Sequence, residues 1–470
     1  MASNLKLNPD MFRAYDIRGI VGVDVDSTIA ELIGKTIGTY LLMQNKGTNV
    51  VVGMDNRPSS EELKSSLIQG LLSTGCNVTD IGLCTSPMLY KAVFDGDFCG
   101  GTIVSASHNP KEYNGFKIVA HKAYPVAAEE MYRLRDMAIA GQFASGKGSY
   151  LTLDTEEQYL SRITSVVHLD RKLKVVLDTG NGVAGKFAPN LLRRLGCEVV
   201  EVFCELDGNF PNHLPNPEHE ANLLDAIKMV TESGADIGIG IDGDGDRVGV
   251  IDENGKFMPS DFSIILLARD YLKGHPGEQI LIDVKSSQNV IDEIKSNGGN
   301  PLLYKTGHSL IKMKMRADNI SMGGEFSGHL YVFENYYPFD DALYATSKIL
   351  EVLSKSSKSF SSQFSDLKVL YPTNLLELGC PDSIKFDVMK KVVDVFSSTH
   401  EVNDIDGVRV TFKNGWVILR ASNTTPYLTF RAEGNSVENL KQILLEVRET
   451  LKQFSDIQLE PLNRTIQELQ

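Results

Sequence analysis

Three segments of the chain share one alternation of apolar and polar positions. They are "VVVGMDNRPSSEELKSSLIQGLLSTGCNVTDIGL" from Val50, "LKVVLDTGNGVAGKFAPNLLRRLGCEVVEVF" from Leu173, and "QILIDVKSSQNVIDEIKSNGGNPLLYKTGHS" from Gln279. Each opens with a short, β-branched apolar run that ends at an aspartate: Asp55, Asp178 or Asp283. A polar turn follows, then apolar residues at helical spacing, then glycine and a second apolar run. This is the signature of strand, helix and parallel strand joined as a crossover unit. Its recurrence predicts three related α/β domains.

From about Tyr371 the pattern changes. "DGVRVTFKNGWVILRASNTTPYLTFRAEG" alternates as antiparallel strands do, with a turn expected at Asn414–Gly415, and the helix-like "SVENLKQILLEVRETLKQF" follows. The expected fold is three α/β domains with mixed sheets plus a C-terminal α+β domain, arranged around a central active-site cleft. The boundaries fall at 1–150, 151–256, 257–368 and 369–470. A chain of 470 residues is long enough for several cores. In open parallel sheets ligands gather at loops beyond the carboxyl ends of strands, so the polar loops there carry the candidate chemistry.

Composition narrows the classes. A net charge of −14 argues against general nucleic-acid binding, which needs a basic surface, but leaves room for a small anionic ligand. The six cysteines show no CxxC spacing and several sit in apolar surroundings, as reduced, buried thiols do. No run approaches the about 18 apolar residues of a membrane span, and the N-terminus lacks a signal-peptide core. A cytoplasmic protein that binds neither nucleic acid nor membrane is expected, as a monomer or small homo-oligomer.

The sharpest motif is "ADIGIGIDGDGDRVGVIDENG". Asp242, Asp244 and Asp246 follow an apolar strand at alternate positions, with glycines between and Arg247 after. Carboxylates so close repel unless a hard divalent cation neutralises them, and the glycines let them converge. A calcium EF-hand loop is excluded, because Arg247 replaces its obligatory glycine and a strand precedes the loop. Three carboxylates leave coordination positions open, which suits Mg²⁺ shared with a phosphate oxygen.

"RASNTTP" gathers Arg420, Ser422, Asn423, Thr424 and Thr425 between two strands, donors able to wrap a phosphate or to form an ordinary polar turn. "GGEFSGH" offers Glu325, Ser327 and His329 to sugar hydroxyls, or is a flexible loop. "YKTGHS" adds His308. "TIVSASHNPKEYNGFKIV" breaks an apolar run at Ser107 and His108, with Lys117 in the next run. It lacks the GxSxG elbow of a hydrolase. A phosphorylatable serine fits better, since its about −1.5 to −2 charges would call for the aspartate loop's cation and for Lys117 and Arg247.

These motifs together resemble the α-D-phosphohexomutase superfamily. "SASHNP" matches its phosphoserine loop, "DGDGDR" its metal loop, "GEFSGH" its sugar loop and "RASNTTP" its phosphate loop, in order along nearly the whole chain. "GEFSGH" with "SNTTP" is most similar to the phosphomannomutase/phosphoglucomutase branch; phosphoglucosamine mutases typically carry a glutamine and "SGTEP" there. Phe326 stands where methionine is common, and Ala106 where glycine is frequent.

The resemblance implies interconversion of hexose 1-phosphate and hexose 6-phosphate through a phosphoserine at Ser107 and a hexose 1,6-bisphosphate intermediate that also serves as activator. It implies Mg²⁺ held by Ser107, Asp242, Asp244 and Asp246. Ser107, His108, Lys117, Arg247 and His308 then form the catalytic set. Tyr15, Arg18, Lys285, Glu325, Ser327, His329, Arg420, Ser422, Asn423, Thr424 and Thr425 form the substrate set. The competing readings are a phosphoglucosamine mutase and a catalytically silent sugar-phosphate-binding homologue. The different composition of the fourth domain also suggests that it moves.

Overall fold

The computed structural model describes residues 7–422 and 426–469. All three crossover units form. Asn49–Met54 and Asn77–Leu83 pair in parallel, as do Lys174–Asp178 with Glu198–Val202 and Gln279–Asp283 with Asn300–Tyr304. The connecting helices follow from their apolar spacing. Ser60–Ser73 buries Leu63, Leu67 and Leu71 and places Glu61 and Glu62 in its first turn, where the helix dipole favours acids. Gln288–Ser296 starts at Ser287, whose hydroxyl accepts from the Asn289 N–H.

Each of these sheets is mixed. In the first, Gly100–Val104 lies parallel to Asn49–Met54 and antiparallel to Tyr113–Ala120. In the second, Ile237–Ile241 is parallel to Lys174–Asp178 and antiparallel to Val248–Ile251. In the third, Met322–Gly324 is parallel to Gln279–Asp283 and antiparallel to Leu330–Val332. The serine loop, the aspartate loop and the "GEFSGH" loop are therefore the same hairpin in three equivalent sheets. The repeat brings three different chemistries to one kind of place.

The fourth sheet is antiparallel throughout, and the "RASNTTP" loop joins Gly415–Ala421 to Tyr427–Gly434. The expected turn at Asn414–Gly415 is corrected by one residue. Gly415 already pairs with Phe412, so the turn is Lys413–Asn414. The glycine serves another need: a Cβ at Gly415 would lie 2.0 Å from the Glu433 carbonyl oxygen, so only glycine lets the next strand approach.

One apolar core runs from Leu89 and Ile103 through Leu177 and Ile239 to Ile264 and Leu350, joining the first three units. The last unit has a separate core, including Leu378, Val417, Phe430 and Leu444. All six cysteines are buried and unpaired. Among the described residues no helix is long and apolar enough to cross a membrane.

Candidate active site

Ser107 is buried and has φ 52°, a left-handed conformation that costs a non-glycine residue roughly 1–2 kcal/mol. Its surroundings hold it there. The Ser105 hydroxyl accepts from the Ser107 N–H (2.9 Å), and the Ser107 carbonyl accepts from Arg57 Nη2 (2.7 Å). So turned, the Ser107 hydroxyl donates to Asp242 Oδ2 at 2.8 Å and lies 3.1 Å from His108 Nδ1. Burial, with Arg247 and Arg18 close by, pulls His108 well below the usual imidazole range and keeps it neutral. Arg18 donates to Asp16 Oδ2 (2.6 Å), Asn109 Oδ1 (2.7 Å) and the Ala106 carbonyl (3.3 Å), so it braces this loop.

The aspartate loop closes against the serine loop. Backbone N–H groups of Asp246 and Arg247 donate to Asp242 Oδ1 at 2.9 and 3.0 Å, and Gly245 turns with φ 77°. Lys117, from the strand after the serine loop, donates to Asp244 Oδ2 (2.5 Å) and Asp246 Oδ2 (2.6 Å). Burial lowers the Lys117 pKa, but Asp244 and Asp246 outweigh it and hold the ammonium charged, well above its ordinary range. For Asp244, burial and the Asp246 charge push upward, yet Lys117 prevails and the pKa falls below normal. Burial together with the charges of Asp246 and Asp244 drives Asp242 the other way.

The three carboxylates offer oxygens within 4.8 Å of one another, and the Oδ1 atoms of Asp244 and Asp246 are buried with no hydrogen-bond partner. Orphaned hard oxygens, in a cluster whose third member Asp242 accepts from the serine hydroxyl, are the donor set a divalent cation such as Mg²⁺ takes. Asp246, His329 and Asp340 form a second such group. There the Lys312 ammonium already sits 2.7 Å from Asp340 Oδ1.

His308 and His329 stack with ring centroids 5.0 Å apart, and Tyr15 meets His308 edge-on at 5.1 Å. Arg247 Nε donates to His329 Nε2 (2.9 Å), which leaves the ring proton on Nδ1, 2.8 Å from Asp340 Oδ2. Burial and nearby Lys312 hold His308 neutral. Glu325 is fully buried; its carboxylate accepts from Tyr331 Oη (2.5 Å) and the Gly307 N–H (2.8 Å), and burial raises its pKa. Ser327 is buried in the same loop. Lys285 Nζ lies 3.6 Å from Asp283 Oδ2 and 5.5 Å from the Phe326 ring centroid.

In the fourth unit Arg420 Nε donates to Asp406 Oδ2 (2.7 Å), which also accepts from the Thr306 N–H (3.0 Å). Ser422 is buried, its N–H bonded to the Tyr427 carbonyl. Asn423, Thr424 and Thr425 lie outside the described residues. A cavity of about 630 Å³ reaches His108 and Asn109, opposite Leu214, Asn216 and His219. A larger one, about 830 Å³, lies beside the "GEFSGH" loop between Phe326, Arg431 and Leu367 and does not include Ser107.

Arg57, Ser86, Glu218, Lys312 and Asp340 are site residues that sequence reasoning missed. Ser86 donates to Asp244 Oδ2 (2.5 Å), and Glu218 lies 3.6 Å from Arg247 Nη1. None carried a usable signal: Arg57 stands two residues after the strand-ending Asp55 and just ahead of a helix, where a solvent residue is expected. The others lie in helices or turns with no local mark of function.

Family models of phosphoglucomutase/phosphomannomutase match four successive segments. Alpha/beta/alpha domains I, II and III match residues 9–144, 157–255 and 259–370, and the C-terminal domain matches 375–450. The chain is 42% identical to a phosphomannomutase/phosphoglucomutase of Pseudomonas putida, over 93% of this chain and 94% of that one. It is 38% identical to a phosphoglucomutase of Neisseria gonorrhoeae, over 92% and 95%. The crystal structure of a phosphoglucomutase/phosphomannomutase family protein from Burkholderia thailandensis superposes with a TM-score of 0.89 at 37% identity, covering 95% of this chain and 98% of that one.

Proposed function

The chain belongs to the phosphoglucomutase/phosphomannomutase family, and on that premise we propose that it interconverts hexose 1-phosphate and hexose 6-phosphate, with mannose or glucose as the sugar. The observation that carries this reading is the Ser107 hydroxyl, turned by a left-handed backbone to 2.8 Å from Asp242 within a cluster of three buried carboxylates. A silent binding protein needs neither the strained serine nor the orphaned oxygens.

Phosphorylated Ser107 gives its phosphoryl group to the free hydroxyl of the bound sugar phosphate. The Oγ–P bond breaks, a sugar O–P bond forms, and the sugar's proton is released as the serine oxygen regains one. The bisphosphate turns over in the cleft, and the same exchange in reverse reloads Ser107 from the other phosphate. Mg²⁺ held by Asp242, Asp244 and Asp246 would supply charge neutralisation for the transferring phosphoryl group. Lys117 holds two of those carboxylates in place, and Arg247 orients His329. Neutral His108, 3.1 Å from Oγ, is placed to exchange the serine proton. Glu325 and Ser327 are assigned to the sugar hydroxyls, and Arg420 with Ser422, Asn423, Thr424 and Thr425 to the phosphate that is not being transferred. Six buried thiols suit a reducing, cytoplasmic setting.

The test offers mannose 1-phosphate, glucose 1-phosphate and glucosamine 6-phosphate separately, with Mg²⁺ and a trace of hexose 1,6-bisphosphate. Ser107→Ala is expected to lose at least about 10³-fold in turnover, as removal of a covalent carrier does, and intact mass with peptide mapping should place a single phosphate on Ser107 of the wild-type chain. Full activity in Ser107→Ala would overturn the mechanism, and preferential turnover of the glucosamine phosphate would overturn the sugar choice.

A further inference from the structure

Arg57 has a guanidinium with five N–H donors, and the structure spends all of them. Nε donates to Asp55 Oδ2 at 3.1 Å. Nη1 donates to the carbonyl oxygens of Pro110 (2.7 Å) and Tyr113 (3.1 Å), and Nη2 to those of Ser107 and Asn109, each at 2.7 Å. Four of the five bonds therefore end on the backbone of the serine loop. Asp55 is itself fixed, accepting from the Arg57 N–H (3.0 Å) and the Ser60 hydroxyl (2.5 Å). The second unit supports the guanidinium from outside, with the Phe210 ring centroid 4.9 Å from Cζ.

The Ser107 carbonyl is held from its other side too. A Cβ at Gly243 in the aspartate loop would lie 2.3 Å from that oxygen, so the two loops touch there. The carbonyl sits between Arg57 and Gly243, which fixes the peptide plane after Ser107 and with it the backbone that aims Oγ at Asp242. We propose that Arg57 is a positioning residue for phosphoryl transfer: its fork imposes the left-handed conformation at Ser107 that presents Oγ to the metal loop.

This rests on Ser107 being the phosphate carrier. In the step concerned, Oγ bonds to phosphorus of the bisphosphate, the sugar O–P bond breaks, the serine loses its proton and the sugar oxygen gains one. Arg57 touches none of these atoms. Without the clamp the serine relaxes toward ordinary backbone regions, and the competent fraction falls by about 10- to 100-fold, the ratio by which a non-glycine residue disfavours the left-handed region. Substrate contacts are untouched, so the loss belongs in kcat.

The experiment follows single-turnover phosphorylation of the chain by glucose 1,6-bisphosphate with Mg²⁺, read by intact mass, in wild type, Arg57→Lys and Arg57→Ala. Steady-state kcat and KM are measured alongside, with melting and circular dichroism to establish folding. Expected is slower loading of Ser107 by about 10- to 100-fold in Arg57→Ala and less in Arg57→Lys, with KM within about threefold, because the lost population rather than lost binding sets the rate. Millimolar guanidinium should restore part of the Arg57→Ala rate where equal sodium chloride does not. Should Arg57→Ala fail to fold, the lysine variant, which keeps the charge but not the fork, decides alone. Wild-type loading rates in a folded variant, or a loss confined to KM, would overturn the role of Arg57. Failure of the wild-type chain to load phosphate on Ser107 would instead overturn the phosphoserine reading itself.

Discussion

His213 places Nε2 3.2 Å from both carboxylate oxygens of Asp178 and Nδ1 2.8 Å from the Leu214 carbonyl oxygen. Both nitrogens face acceptors, and only the imidazolium can donate to both. Burial lowers its pKa, but the Asp178 hydrogen bond and charge, with the Leu214 carbonyl and more distant Asp225, outweigh this and raise it above 6.5. Phe203 covers the ring edge-on at 5.5 Å. The folded pKa is raised, so the stabilisation is complete below the unfolded value of about 6.5 and fades as pH climbs through the folded value. The melting temperature of the wild type should therefore fall relative to His213→Asn as pH rises from about 6 to 8.5. Parallel melting curves for the two proteins over that range would show that the pair contributes nothing. The segment matters because its next residues brace the aspartate loop: the Pro215 carbonyl accepts from the Gly243 N–H at 3.2 Å.

Gly243 decides how closely the serine and aspartate hairpins approach. An added Cβ would meet the Ser107 backbone at 2.3 Å, and a backbone atom cannot swing aside as a flexible side chain would. Gly243→Ala is expected to keep its fold, since the strands on either side are buried and paired elsewhere. It should lower kcat by about 100-fold, the cost of roughly an ångström of misplacement; circular dichroism and steady-state kinetics together check this. The hairpins themselves were legible because period-two apolar runs and small residues mark strand and turn locally. Ser107 and the three aspartates were legible for the same reason, each lying just beyond such a run. What touches them was not. Lys312 looks like any helical lysine, yet it is buried against Asp340, which lies in a loop 28 residues further along the chain. Arg57 looks like a solvent residue ahead of a helix, because its partners lie some fifty positions away in sequence. At Lys413–Asn414 the Asn-Gly signal misplaced the turn, since the glycine was needed for strand approach.

The first three units share one apolar core, whereas the fourth has its own and meets the third through a polar seam. Arg409 Nη1 donates to the Val284 (2.6 Å) and Ser286 (2.8 Å) carbonyls. Glu433 accepts from the Ser287 hydroxyl (2.7 Å), the Gln288 N–H (3.0 Å) and Trp416 Nε1 (2.9 Å). Arg431 donates to Asp261 Oδ2 (3.0 Å), and its Cζ lies 3.9 Å from the ring centroid of Phe326 in the "GEFSGH" loop. The apolar part of the seam is small, chiefly Val284, Trp416 and Ile418, and a seam of that kind can part more readily than a core. Arg431 thus ties the fourth unit to the "GEFSGH" loop, which we propose faces the sugar. Removing it leaves Asp261 buried without its cation, and burial already raises that carboxyl above its ordinary pKa. Loss of one partner of a buried pair costs about 3–5 kcal/mol, enough to undock the seam without unfolding either core. Trp416 is the sole tryptophan and is buried beneath Arg409, whose Cζ is 3.6 Å from its centroid, so its emission reports the seam directly. Arg431→Ala should shift that emission to the red in the free enzyme. It should also raise KM by about 10- to 100-fold, as binding must first re-dock the unit, while kcat changes less. An Arg431→Ala enzyme with wild-type emission and wild-type KM would mean that the fourth unit docks through other contacts and that Phe326 takes no instruction from it.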